Sequence, residues 1–157
     1  MDIYLMQHGA AVAEAEDPAR PLSAAGRDAV ERVAARVQAA GLQVDRCLHS
    51  GKLRAEQTAT VLAAALGADV QIRDGLNPGD PVAPFADWLA HQAQREPDGS
   101  IAIVGHLPFL DRLASLLVGG AEDTHAVRFQ NAALVRLGPD PTGTRFSVVW
   151  ILPPDLA

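Results

Sequence analysis

Apolar and polar positions alternate along the chain in two rhythms. Short apolar runs, Ile3-Tyr4-Leu5-Met6 near the start and Ile101-Ala102-Ile103-Val104 further on, run into polar residues and glycine, the pattern of buried strands emptying into loops. Between such runs apolar residues recur every three or four positions. Val30, Val33 and Val37 share one helical face, and Ala55, Ala59, Leu62 and Leu66 share another. Ser23 reads as the N-cap of the first helix, Gly41 and Gly67 end the first two, and Pro108 suits the first turn of a later one. The pattern predicts strand 2–7, helix 23–40, strand 44–49, helix 51–66, strand 69–73, helix 82–95, strand 101–104, helix 108–118 and strands 132–137 and 144–150. The turn-rich GPDPTGT joins the last two strands as a hairpin.

Alternation of strand and helix predicts an α/β fold: a three-layer α/β/α sandwich around a mostly parallel central sheet of about six strands. The 157 residues fit one domain, 1–157. The loop DGLNPGDPVAP is too short for a lid or cap domain, so the site is expected to be open. In open sheets of this class ligands bind beyond the carboxyl ends of the strands.

Charge and cysteine content narrow the partners. The net charge is −6 with no basic run, which disfavours nucleic acid and anionic membranes. No stretch has the length of a membrane-spanning helix, and the N-terminus lacks the pattern of a signal peptide. Cys47 is the only cysteine, which excludes an internal disulfide and fits a reducing compartment. A cytoplasmic location is the expectation.

Three strand ends carry polar residues suited to chemistry. The first delivers Gln7-His8-Gly9, the second His49-Ser50-Gly51-Lys52 with Arg54 one turn into the next helix, and the fourth Gly105-His106. Ser50-Gly51 before a helix offers amide donors and the positive end of a helix dipole, which favours phosphate. The planar fork of Arg54 suits two phosphate oxygens. Two histidines and an arginine around a phosphoryl group suggest transfer through a phosphohistidine. His8, His49 and His106 have no spacing typical of a zinc site, and no nucleotide-binding P-loop is present.

With QHGAA, PLSAAGRDA, HSGKLRAEQTA and VGHLP in this order, the chain resembles the histidine phosphatase superfamily, whose fold is phosphoglycerate mutase-like. The LRAEQT and GHLP segments are most similar to its phosphohistidine phosphatase (SixA-like) branch. The resemblance implies that His8 is the phosphorylated nucleophile and that Arg54 and His106 hold the transferring group, with Gln7 and Gly9 beside it. It implies no metal and no organic cofactor. Ser23 and Gly26 fall in a segment that the family shares, where capping and helix packing explain them better.

Two departures stand out. Most members of the family have Arg-His-Gly where this chain has Gln7-His8-Gly9, so one permanent charge is missing; Lys52 is the candidate replacement among the phosphate-binding residues. His49 fits packing in the second strand. A general acid is also hard to find, because Asp74 and Asp80 both look like turn residues. A phosphohistidine leaving group, of reference pKa ~6.5, departs as a neutral ring without a strong acid, whereas an alkoxide does not. The leading expectation is therefore a phosphatase acting on a phosphohistidine-bearing protein, such as a phosphorelay domain. A small-molecule phosphomonoesterase taking a small phosphate ester and a non-catalytic phosphate-recognition module are the alternatives. Asn131, just before the fifth strand, is by position alone a candidate for the same rim, while segment 10–20 reads as a substrate rim or a plain loop. The LPPDLA tail either packs against the sheet or stays loose.

Overall fold

The computed structural model describes residues 1–157. Six strands and four helices follow in the order β1 (Asp2–Gln7), α1 (Ala24–Ala39), β2 (Arg46–His49), α2 (Leu53–Leu66), β3 (Asp69–Ile72), α3 (Ala83–Arg95), β4 (Ser100–Gly105), α4 (Phe109–Gly119), β5 (Leu134–Pro139) and β6 (Phe146–Leu152). The six strands form one sheet in the order β3-β2-β4-β1-β5-β6. β3, β2, β4 and β1 are parallel, β5 runs against β1, and β6 reverses again as the second arm of a hairpin. This is the α/β/α sandwich that the alternation predicts, and no helix is long and apolar enough to cross a membrane.

Local signals account for most element ends. The Ser23 hydroxyl accepts the Gly26 amide at 3.0 Å and caps α1, while Gly67 closes α2 with a left-handed φ of 66°. The last two strands start two residues later than predicted. Ala132 adopts a positive φ of 63° and gives its amide to the Gln7 carbonyl, so the turn into β5 uses residues that the apolar pattern assigns to the strand.

The period-two alternation of the central strands divides the core. Ile3, Leu5, Ile101 and Ile103 face one layer, where Phe85 and Leu89 of α3 and Phe109, Leu110 and Leu113 of α4 cover them. Tyr4, Met6, Ala102 and Val104 face the other, under Val33 and Val37 of α1 and Ala55, Ala59, Leu62 and Leu66 of α2. Burial on both faces explains why these strands read as unbroken apolar runs, and each fully buried aliphatic side chain contributes about 1.5–3 kcal/mol. Beyond β6 the tail turns into a short 3-10 helix, Pro154–Leu156, with Pro154 buried, so the LPPDLA segment is ordered against the body of the protein.

Register aligns the strand ends that matter. Gln7 pairs with Gly105, His49 with Val104, and the His8 amide donates to the Gly105 carbonyl at 3.1 Å. The segment after β1 then presses on the start of α1. A Cβ on Gly9 would stand 2.8 Å from both the Gly26 carbonyl oxygen and Val30 Cγ2, and one on Gly26 would overlap the Ala10 carbonyl. Alanine at a helix interior ordinarily gains about 1 kcal/mol over glycine. At position 26 the clash is with backbone, which cannot swing aside. Gly26→Ala is therefore expected to lower stability by about 1–3 kcal/mol, read as a drop in the urea midpoint; a higher midpoint would show that the contact is loose.

Candidate active site

The site is built outward from His8. Its Nδ1 lies 2.7 Å from the Gly9 carbonyl oxygen, and Arg54 donates an Nε–H to its Nε2 at 3.1 Å. A carbonyl can only accept, so Nδ1 carries the proton. A guanidinium can only donate, so Nε2 carries a lone pair. Both contacts specify the same neutral tautomer. Burial, and then the charges of Arg54 and Arg20, pull the His8 pKa below its ordinary value against the opposing pull of the Gly9 carbonyl.

A second tie holds this pair in register. Fully buried Thr58, one turn beyond Arg54 on α2, accepts the Gly9 amide at 3.0 Å and donates to the Arg54 carbonyl at 2.7 Å. The loop carrying the imidazole and the helix carrying the guanidinium are thus joined by one hydroxyl. On the far side of His8, Asn131 donates Nδ2–H to the His8 carbonyl at 2.8 Å.

His106 arrives at the end of β4. Its ring centroid lies 5.0 Å from that of His8, and its Nε2 is 2.6 Å from Ser50 Oγ. The ring is almost wholly buried, and its Nδ1 has no partner. Burial first, then repulsion from the His8 ring whenever that is protonated and from the charges of Arg54, Lys52 and Arg20, push its pKa down to about 3. His106 is neutral wherever the protein is folded near neutral pH.

These groups border a cavity of about 480 Å³ whose polar wall is Gln7, His8, Arg20, Arg54, His106 and Asn131, completed by Ala10, Ala11, Pro78 and Leu107. No carboxylate lines it. Two guanidiniums facing two neutral imidazoles form an anion site with unspent positive charge.

The structure brings most of the sequence candidates together and sets some aside. Gln7, His8, Arg54 and His106 share the cavity, and Asn131 joins them on its rim. Gly9 does not line it: its amide is taken by Thr58, its carbonyl by His8, and tight packing on α1 explains the glycine. The amides expected to be free before α2 are also engaged, Gly51 N–H with His49 Nδ1 and Lys52 N–H with Ser50 Oγ. Lys52 itself is exposed at the N-cap of α2, outside the cavity lining. Asp74 and Asp80 border a different cavity, and the Asp80 carboxylate accepts the Asn77 amide as a turn residue does.

Arg20 is the group that sequence reasoning missed. It belongs to segment 10–20, which supplies Ala10, Ala11 and Arg20 to the cavity and is thereby a rim. A signal was present: Arg20 is the lone cation in a stretch otherwise charged by Glu14, Glu16 and Asp17.

The chain is similar to known proteins in sequence and in fold. Residues 3–80 match the model of the histidine phosphatase superfamily (branch 1). An uncharacterized protein of Picosynechococcus sp. is 36% identical over 141 residues, covering 87% of this chain and 84% of that one. The phosphohistidine phosphatase SixA of Escherichia coli K12 is 29% identical over 123 residues, covering 76% of each chain. Among solved structures, the protein histidine phosphatase SixA complexed with tungstate superposes with a TM-score of 0.83 at 27% identity, covering 99% of this chain and 98% of that one.

The buried histidine has a consequence for stability. Above pH ~6.5 His106 is neutral in both folded and unfolded chains. As the pH falls toward about 3 the unfolded chain takes up a proton that the folded one refuses, so stability is lost across that window. Urea unfolding free energies measured from pH 7 to 4 are expected to decline less steeply for His106→Gln than for the wild type. Equal slopes would mean that His106 accepts a proton inside the fold.

Proposed function

The chain belongs to the histidine phosphatase superfamily, and from that premise we propose that it hydrolyses phosphohistidine on a partner protein by way of a covalent intermediate on His8. The observation that carries this reading is the pair of contacts fixing His8 as Nδ1–H with its Nε2 lone pair toward Arg54.

The chemistry follows from that arrangement. In the first step the Nε2 lone pair attacks phosphorus. A P–N bond to His8 forms while the P–N bond of the substrate breaks, and its electron pair leaves with the substrate imidazole. Arg54, released from Nε2 as the lone pair is used, turns its donors to the equatorial phosphoryl oxygens, and His106 stands beside them. Charge spreads over three such oxygens in the transition state, so the fixed donors of the cavity wall supply most of the rate gain. In the second step water attacks the phosphorylated His8, the P–Nε2 bond breaks, and inorganic phosphate departs with neutral His8 restored.

The leaving group explains the choice of substrate. An imidazole of reference pKa ~6.5 is readily protonated from solvent near neutrality and leaves as a neutral ring. An alkoxide would need an acid, and no carboxylate lines the cavity. Residues 73–82 are all that connects β3 to α3, so no cap closes the mouth against a protein-borne phosphohistidine, such as one on a phosphorelay domain of a signalling pathway.

The test is single-turnover phosphate release from a phosphohistidine-bearing domain, in EDTA, for the wild type and for His8→Ala. Release by the wild type and a loss of at least 1,000-fold in the variant are the expected results, since a nucleophile and not a bystander is removed. Chelator-sensitive release, or equal release by the variant, would contradict the mechanism. Turnover of small phosphate esters alone would move the chain to the phosphomonoesterases, and phosphate binding without any turnover would make it a recognition module.

A further inference from the structure

We propose that Arg20 provides the second fixed positive charge of the phosphoryl-binding cavity, the charge that Gln7 does not carry. The inference rests on reading this cavity as a phosphoryl site, and it names a residue that the strand-end motifs do not contain.

The loop after β1 is built to aim this side chain. Val12 N–H donates to the Pro21 carbonyl at 2.9 Å, Ala11 bridges to Leu22, and Arg20 N–H donates to the Asp17 carbonyl at 2.9 Å. At the turn Arg20 has a φ of 51°, left-handed backbone that a non-glycine residue adopts at an energetic cost. The following Pro21 makes that conformation still less favourable. The strain turns Arg20 toward the cavity, where its Nε–H donates to the Val12 carbonyl at 3.3 Å. Its two terminal nitrogens make no bond within the protein, so the fork is open for oxyanion oxygens.

Charge balance in the loop points the same way. Glu14 and Glu16 are exposed, and Asp17 Oδ1 accepts the Ala19 amide at 2.9 Å, so no acidic side chain of the segment pairs with Arg20. Arg20 and Arg54 both act on the two imidazoles, and burial and then Arg20 lower the Arg54 pKa. Two unneutralised guanidiniums held together beside buried neutral rings are unfavourable in the empty cavity and become favourable once a doubly charged phosphoryl group enters. Lys52 is also unpaired and acts on His106, but it is exposed on the helix cap with a flexible stem and lies outside the cavity wall.

If Arg20 stands in for a charge at position 7, moving the charge should move the affinity. The probe is inorganic phosphate, titrated by 31P NMR at low and moderate salt, with folding of each variant verified by urea unfolding. Arg20→Gln is expected to weaken phosphate binding by at least about 10-fold, as loss of one charge-assisted contact does. Arg20→Lys is expected to lose less. Gln7→Arg placed in the Arg20→Gln background is expected to recover most of the loss, while Lys52→Gln changes affinity less than Arg20→Gln does. Binding by Arg20→Gln within about twofold of the wild type would overturn the assignment, given that one charge-assisted bond is worth more than that. So would a failure of Gln7→Arg to restore it. The readout is affinity, which keeps this inference separate from the enzymatic one: the expected affinity pattern without turnover of phosphohistidine retains Arg20 and rejects the phosphatase mechanism, and His8-dependent turnover with phosphate binding indifferent to Arg20 does the reverse.

Discussion

Two groups of opposite hydrogen-bonding character grip the imidazole of His8, a carbonyl that can only accept and a guanidinium that can only donate. Between them they leave one tautomer, neutral, with its Nε2 lone pair directed at Arg54. The rest of the site serves that condition. β1 and β4 set the height of the ring through the Gln7–Gly105 pairing, and Thr58 locks the Gly9 loop to the helix turn that carries Arg54. The contact of Gly9 with Gly26 leaves that loop no room to retreat. The placing of the His8 ring is therefore a property of packing between α1, α2 and the end of β1.

Electrostatics completes the arrangement. A histidine in water is half protonated near pH 6.5, and a protonated ring has no lone pair to attack with. Burial and the flanking guanidiniums hold both imidazoles below that value, so in the proposed mechanism the charges that attract the phosphoryl group also keep its acceptor deprotonated. One set of cations does both jobs, and a carboxylate in the wall would weaken both. Its absence costs the site a strong general acid, which is tolerable when the leaving group is an imidazole.

Much of this was readable in the residues alone, and for physical reasons. Strands buried on both faces are continuous apolar runs, so their ends, and with them His8, Ser50 and His106, stood out as abrupt changes of character. The stripes of α1 and α2 were equally plain, because Val30, Val33 and Val37 can face one way only on a helix. What escaped depended on closure between distant parts. Arg20 reaches the cavity only because residues 11–22 fold back on themselves, and no periodicity marks such a loop. Lys52 stands at the head of α2 as its place in the motif suggests and acts on His106, but its side chain is exposed there and does not line the cavity. Gly9 looked like a phosphate donor in its motif; the need for it lies in Gly26 and Val30, far along the chain.

The chemistry proposed for His8 depends on the protonation state of its ring. 15N NMR of the His8 imidazole, recorded from pH 8 to 5.5 in the absence of phosphate, reports it directly. A neutral ring protonated at Nδ1, persisting below pH ~6.5, is the required result. A ring protonated at Nε2, or an imidazolium at neutral pH, would contradict it, because the lone pair that the mechanism uses would be absent.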